Sequence, residues 1–476
     1  MNWYRRSLKL MINIINKPKK GFIAAGVFFF VLLGYCMLAG LSLIIPLLVA
    51  FYGCHLAFFR HLEAKRFLHL GFLLTIIVFA GRSLIEFLHF SPYAIPVASV
   101  AMLAMLLFND LQLAFSMSFM ASAVLSLVIG MPLDYCIIVF IGGLTGAYAI
   151  SGTRTRGTVL FAGLLLGAVQ AMGYFLVHPV FSREILMNGL QPFFISGLLS
   201  AAAVLATLKI FETLFGELTN FSLLELSDSL TQPLIKRLAF EAPGTYHHSL
   251  ILSNLAGAAA DAIGANALLV RVGSYYHDIG KLVKPEYFTE NQMMADNKHD
   301  DLEPSMSRLV ILNHVKEGVD IARRHKLSPK LIDFIQQHHG TSLIHYFYQK
   351  ALIEGETESV SEENYRYLGP KPQTRETAIV MLADSVEGAT RGLDEHTPNR
   401  ISDMVRKIIN NKFIDGQLDE CALTLREIDT VTGVFSRELA AMYHVRIKYP
   451  NAKKTNGHHG SKSSADESPS AEPDGQ

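Results

Sequence analysis

The stretch Ser274-Tyr275-Tyr276-His277-Asp278-Ile279-Gly280-Lys281 sets an imidazole beside a carboxylate within a segment of helical character. One His-Asp dipeptide is weak by itself, because a lone histidine is more often a core or surface residue than a ligand. Working outward, the same half of the chain holds His248, His314, the pair His338-His339 and Asp384, each in a helical segment or at its end. Imidazole nitrogens and carboxylate oxygens suit manganese, iron or zinc, and a shared carboxylate can hold two such ions roughly 3.5–4 Å apart. Seven donors are enough for two ions with positions left for water and substrate.

From Glu241 to about Arg446 the apolar spacing is helical nearly throughout, with little alternation of the kind strands show, so this part is expected to be all-α. Gly264 is placed to stop one helix and Asn266 to cap the next. Just upstream, Leu223, Leu224, Leu226, Leu230, Leu234 and Leu238 recur at helical spacing and predict a helical linker over 215–240. From Asn451 the chain is Lys, Ser, Gly, Asp, Glu and Pro with almost nothing to bury, and is expected to be disordered. His458-His459-Gly460 in that tail lacks a fold to orient it as a ligand pair.

The 476 residues are half hydrophobic and only 18% charged, and the net charge of zero hides an asymmetry: Met1 to Ile210 holds five acidic residues, the rest most of the charge. About 20 apolar residues are needed to cross the hydrocarbon core as a helix. Eight runs qualify as expected spans within 22–214: Phe22–Ala39, Leu41–Phe59, Phe67–Phe90, Tyr93–Phe108, Leu113–Met131, Tyr135–Ile150, Thr158–Val177 and Phe193–Leu214. The first two are separated by a tight hairpin near Gly40, since one helix over both would be far too long. Residues 1–21 carry Arg5, Arg6, Lys9, Lys17, Lys19 and Lys20 and no acid, which places them in the cytoplasm and, with eight spans, the C-terminal half too. A cleaved signal peptide is the competing reading, but no convincing cleavage site precedes a polar segment. Arg82 and Glu86, four apart near the outer end of the third span, are expected to neutralise each other. Four unpaired cysteines, Cys36, Cys54, Cys136 and Cys421, indicate neither a disulfide nor a zinc framework.

In order, His248, His277-Asp278, His314, His338-His339 and Asp384 reproduce the H…HD…H…HH…D signature of binuclear HD-domain phosphohydrolases. Ala242-Pro243-Gly244-Thr245-Tyr246-His247-His248-Ser249, Tyr276 to Lys281, Glu290-Asn291-Gln292 and His338-His339-Gly340-Thr341 resemble, more specifically, the seven-transmembrane HD family, whose PgpH-type members hydrolyse cyclic di-AMP. The similarity runs from the spans to about Leu393. It implies a polytopic helical membrane domain followed by an all-α HD domain over 241–450, in a bacterial inner membrane with the HD domain cytoplasmic. It also implies one ion on His248, His277 and Asp384 and another on His314, His338 and His339, with Asp278 bridging and manganese or iron as the metals. Water activated between two such ions would attack phosphorus in line and open the ring to linear 5′-phosphorylated diadenylate.

Lys281, a helical turn past Asp278, is expected to act catalytically by contacting a phosphate oxygen, with His247 and Thr341 as further substrate contacts. Because His247 and His248 cannot point the same way on a helix, only His248 is taken as a ligand. Glu387, one turn past Asp384, is expected to pair with Arg391 at i,i+4. His299, His325, His345, His396 and His444 fall outside the motif. The chain departs from the family at Gly40, where no room is left for the usual extracellular domain. It departs from the related HD-GYP enzymes too, having Gly340-Thr341-Ser342 after the double histidine and no GYP segment. A hydrolase of another cyclic or linear dinucleotide, a receptor that binds a nucleotide without turnover and a transporter are the rival readings; the receptor does not require seven ligands and the transporter would show repeats or broken, charged spans. A cyclic dinucleotide, the lipid bilayer and a second copy of the chain are the expected partners.

Overall fold

The computed structural model describes residues 64–443 apart from 180–181, 229–230, 293–296 and 354–359, together with five positions between 46 and 53. The first expected span, all but five positions of the second, the hairpin near Gly40, both termini, His444 and the 451–476 tail therefore lie outside the described residues. Among the described residues every regular element is a helix, and β-pairing is limited to an isolated bridge between Leu343 and Arg366.

Among the described residues the N-terminal part is a bundle whose longer helices are α1 (Ala64–Leu88), α2 (Ala98–Phe108), α3 (Leu111–Ile129), α4 (Leu133–Ala149), α5 (Arg156–Val177) and α6 (Gln191–Phe215). Among the described residues four stretches are long and apolar enough to cross a membrane, Lys65–Leu88, Leu111–Ile129, Arg156–Val177 and Arg183–Phe215. Pro92–Phe108 and Leu133–Ala149 are shorter. The run expected as a span over Tyr93–Phe108 is a 3-10 turn at Pro92–Ala94 followed by the 11-residue α2. Proline explains the break: Pro92 and Pro96 lack amide donors and restrict the residues before them. At about 1.5 Å per residue α2 cannot cover a bilayer by itself. Its neighbours enclose it instead, and Ala101, Met102 and Ala104 are fully buried.

Close backbone approach holds α5 to α6. A Cβ added at Gly197 would lie 2.3 Å from the Gly163 carbonyl oxygen and 2.6 Å from the Gly167 backbone, so only glycine lets these helices meet there. Outward-facing Phe79, Phe161, Leu176 and Ile210 are exposed, a surface suited to acyl chains. Arg82 donates to Glu86 at 2.6 Å, as the i,i+4 spacing predicts. Residues from the start of α1, the α2–α3 and α4–α5 turns and the end of α6 line one cavity of about 220 Å³ together with Asn266 and Lys330 of the C-terminal part. The helices thus alternate in direction, and the turns beside Arg66, Arg154 and Arg156 lie on the side of the C-terminal domain.

The connection is two short helices, α7 (Asn220–Ser227) and α8 (Pro233–Glu241), where one linker helix was expected. Pro233 is the cause: it opens α8 at its first position, where the missing amide costs nothing, and denies the preceding residue helical geometry. The connection is fastened on both sides. Asn220 donates to the Thr153 carbonyl at 3.2 Å, Arg156 pairs with Glu225 at 3.1 Å, and Lys330 with Glu217 at 2.6 Å. Buried Tyr276 donates its hydroxyl to the Leu226 carbonyl at 2.8 Å.

The C-terminal domain packs α9 (Pro243–Ala262), α10 (Ala267–Tyr276), α11 (Pro304–Arg324), α12 (Pro329–Gln337), α13 (His345–Ile353), α14 (Arg375–Arg391), α15 (Pro398–Ile414) and α16 (Leu425–Met442). Gly264 adopts φ +65° after α9, and the Asn266 side chain accepts from the Leu269 amide to cap α10, both as the sequence indicates. One core joins α9, α14, α15 and α16 around Leu255, Leu382 and Phe435; a second joins α7, α8, α10, α11 and α12 around Leu238, Tyr276 and Ile335. The metal-type donors lie where these cores meet.

Candidate metal centre

Five elements deliver the seven donors. His248 projects from the first turns of α9, His277 and Asp278 follow directly on α10, His314 sits mid-way along α11, His338 and His339 follow α12, and Asp384 lies within α14. They form two groups. Asp278, His314, His338 and His339 offer ligand atoms all within 4.8 Å of one another, as do His248, His277 and Asp384. Asp278 joins the groups through its two oxygens. Oδ2 faces His277 Nε2 at 3.1 Å and His248 Nε2 at 3.9 Å, whereas Oδ1 faces His314 Nε2 at 3.3 Å and His338 Nε2 at 3.5 Å. Asp384 Oδ1 lies 3.2 Å from His248 Nε2, and its Oδ2 3.5 Å from His339 Nδ1.

The outer face of four of the five imidazoles is fixed. Nδ1 of His277 donates to the Ser274 carbonyl at 2.8 Å, that of His338 to the Ile335 carbonyl at 2.9 Å, and that of His314 to the Ile311 carbonyl. Nδ1 of His248 meets Glu387 Oε2 at 2.9 Å. With the outer nitrogens protonated, the inner Nε2 atoms carry lone pairs. His314 Nε2 and His338 Nε2 then face each other at 3.4 Å, an arrangement of two acceptors that a cation between them relieves. His277 Nε2 and Asp278 Oδ1 are likewise buried without a hydrogen-bond partner. A buried polar atom with no partner costs about 1–3 kcal/mol. Orphaned inward donors with anchored outer nitrogens are what a divalent-metal site requires, so these residues fit two ions.

The electrostatics agree. Burial opposes ionisation of Asp278, but His277 and Lys281 outweigh it and hold its carboxyl well below the usual carboxylate range. Asp384 is held down against burial by His248 and His339. Burial works against a charged His248, yet its bonds to Asp384 and Glu387 raise it to about 9. Burial and neighbouring His338 keep His339 neutral.

Several sequence expectations change here. Lys281 is neither solvated nor free to point at substrate: its Nζ lies 2.8 Å from Asp278 Oδ2 and 2.7 Å from Glu290 Oε1. The segment Ile279–Val283 is a 3-10 helix, in which residues three apart eclipse, so Lys281 sits over Asp278. The hydroxyl and amide of Thr341 are both engaged by Gln417, at 2.9 Å each, which ties the loop after the double histidine to the end of α15. His247 is exposed on α9 and belongs to neither donor group. Glu387 does pair with Arg391, but the same buried carboxylate also orients His248. Asp384 and Glu387 one turn apart on one helix face were the available signal. Tyr367, whose ring stacks on His339 at 4.2 Å, has no signal in the sequence.

Two family models match the chain: one described as "7TM receptor with intracellular HD hydrolase" over residues 29–219, and the HD domain over 245–389. The second encloses all seven donors. The chain belongs to the seven-transmembrane HD family. Within that family it is 38% identical over 378 residues to the cyclic-di-AMP phosphodiesterase PgpH of Bacillus subtilis, covering 76% of this chain and 52% of that protein. It is 38% identical over 388 residues to PgpH of Listeria monocytogenes, covering 80% and 53%. The chain thus spans about half the length of these curated relatives. The crystal structure of the Listeria monocytogenes PgpH HD domain in complex with cyclic-di-AMP is 47% identical, covers 45% of this chain and 99% of that chain, and gives a TM-score of 0.44.

Proposed function

We propose that this seven-transmembrane HD protein is a membrane-bound, metal-dependent phosphodiesterase that hydrolyses cyclic di-AMP to linear 5′-phosphorylated diadenylate. The observation that carries the reading is Asp278, which offers one oxygen to each of two donor groups in which four of the five imidazoles are anchored from outside. The similarity to PgpH over three quarters of the chain supports the substrate. His248, His277 and Asp384 would hold one ion and His314, His338 and His339 the other, with Asp278 offering an oxygen to each group; manganese and iron suit this donor set. When bound, two such ions supply Lewis-acid charge to a phosphate and lower the pKa of water for in-line attack.

The chain's own residues do the positioning. Glu387 sets the ring of His248, and the Ser274, Ile311 and Ile335 carbonyls set the rings of His277, His314 and His338. Lys281, itself shared with Glu290, neutralises the oxygen of Asp278 that faces His277. Lys281 is therefore a positioning residue. Attack at phosphorus breaks one P–O3′ bond and leaves the phosphate on the 5′ side, so the ring opens to a linear dinucleotide. Nothing in a single centre forces the second bond to break in the same event.

The domain boundaries we propose are 22–214 for the membrane domain, 215–240 for the connection and 241–450 for the HD domain, facing the cytoplasm of a bacterial cell. A homodimer is compatible with this arrangement. The test is the full chain in detergent, loaded with manganese and offered cyclic di-AMP or cyclic di-GMP separately. Faster turnover of cyclic di-AMP is expected; a preference for cyclic di-GMP overturns the substrate, and binding without turnover of either overturns the enzyme.

A further inference from the structure

The cations around the donor groups differ in one respect. Lys281 is paired with Asp278 and Glu290, Arg391 with Glu387, Arg366 with Glu362 and Asp415, and Lys371 with Asp419. Lys412, in the last turn of α15, has no carboxylate within ion-pair distance among the described residues. Its ammonium donates to the buried Ser342 hydroxyl at 2.6 Å. Burial lowers its pKa, with Arg366 acting in the same direction and the charges of Asp384, a donor of the metal centre, and Asp415 acting against them.

The position of Lys412 relative to the centre is fixed by three ties. Gln417, fully buried, holds Thr341 through amide and hydroxyl; Arg366 donates to the Thr341 carbonyl at 2.9 Å while paired with Asp415; and the Tyr367 amide donates to the Ser342 carbonyl at 3.0 Å. Thr341 and Ser342 follow His338-His339 directly, and Tyr367 stacks on His339. The ammonium is thus tied, through Ser342, to the loop that directly follows His338-His339. A partly desolvated charge with no counter-ion is costly, and an anion arriving with the substrate repays that cost.

A cyclic dinucleotide carries two phosphodiesters, and one binuclear centre takes one of them. Resting on the function proposed above, we infer that Lys412 binds the second phosphodiester, the one that is not cut, and so selects a substrate with two phosphates over one with a single phosphate. Lys412 lies beyond the segment matched by the HD-domain model, which ends at residue 389. It touches substrate without taking part in bond cleavage, and its contact is the same in the ground and transition states. The effect of losing it therefore falls on KM.

The test compares wild type, Lys412→Met and Lys412→Arg as full-length, manganese-loaded protein, with cyclic di-AMP and with bis(p-nitrophenyl) phosphate, which has one phosphodiester. Metal content of each variant reports whether the centre is intact. Lys412→Met is expected to raise KM for cyclic di-AMP by about ten-fold or more, as for loss of a charged hydrogen bond, with kcat little changed. The ratio of kcat/KM between the two substrates should fall by a similar factor, and Lys412→Arg should restore most of it. Equal losses on both substrates, a loss confined to kcat, or an unchanged KM overturns the inference. A wild-type protein that turns over the single phosphodiester but not cyclic di-AMP removes the reading on which the inference rests, and is told apart by that pattern.

Discussion

A buried carboxylate that bonds a ligand from behind does as much for a metal site as the ligand itself. Glu387 is 1% exposed and holds the outer nitrogen of His248 while pairing with Arg391. Glu387→Gln keeps the shape and removes the charge, and is expected to weaken metal binding by about 10- to 100-fold, the usual effect of losing such an outer partner. Titrating the metal-stripped variant with manganese measures this directly; affinity equal to wild type would leave Glu387 with Arg391 alone. A second expectation concerns pH. His248 is raised from 6.5 to about 9, so in metal-stripped protein its proton adds stability that is fully present below 6.5 and lost as pH rises through 9. Asp278 and Asp384 are lowered, so their share is present above the ordinary carboxylate range and lost only on strong acidification. Thermal unfolding of metal-stripped protein should therefore weaken between pH 6.5 and 9, and far less so when manganese replaces that proton. Parallel curves would contradict this. At this scale the seven His and Asp residues that the fold brings together were legible because ligand chemistry restricts residue type. The roles of Thr341 and Glu387 were not, because each depends on a partner distant in sequence, Gln417 just past α15 and His248 on α9; that of Lys281 was not, because it depends on a 3-10 turn that sets it against Asp278 and Glu290.

Among the elements, the turn at Ile279–Val283 matters most for the centre, because it fits Asp278 against α11. A Cβ on Gly280 would lie 1.8 Å from the His314 carbonyl oxygen and 2.6 Å from the Gly318 amide, both backbone atoms that cannot step aside. Gly280→Ala should push this turn from α11, separate Asp278 from His314 and cost on the order of 1–3 kcal/mol, as overpacking does. Loss of metal from the variant, with a lowered unfolding midpoint, checks this; full metal content at wild-type stability would show that the two elements can part without harm. Helix boundaries in the HD domain followed from Gly264 and Asn266, whose effects are local. The connection was misjudged as one helix because apolar spacing continues through Pro233, whereas proline acts on the backbone. The same holds in the membrane part, where the composition of Tyr93–Phe108 fits a span but Pro92 and Pro96 shorten the helix.

For the whole molecule, the alternation of α1 to α6 brings the turns beside Arg66, Arg154 and Arg156 to the side of the HD domain, the arrangement expected when basic turns face the cytoplasm. A reporter fused after Pro450 should accordingly report the cytoplasm; an external signal would reverse the bundle. The bond from Tyr276 to the Leu226 carbonyl joins α7 of the connection to the residue just before His277. The central claim is that one binuclear centre in this chain opens a cyclic dinucleotide by a single cut. The most direct measurement is to determine metal content and reaction products on one sample of the full-length protein supplied with manganese and cyclic di-AMP. The account predicts two ions per chain and linear 5′-phosphorylated diadenylate accumulating first. Two bound ions with no hydrolysis, or mononucleotide appearing with no linear product at early times, would contradict it.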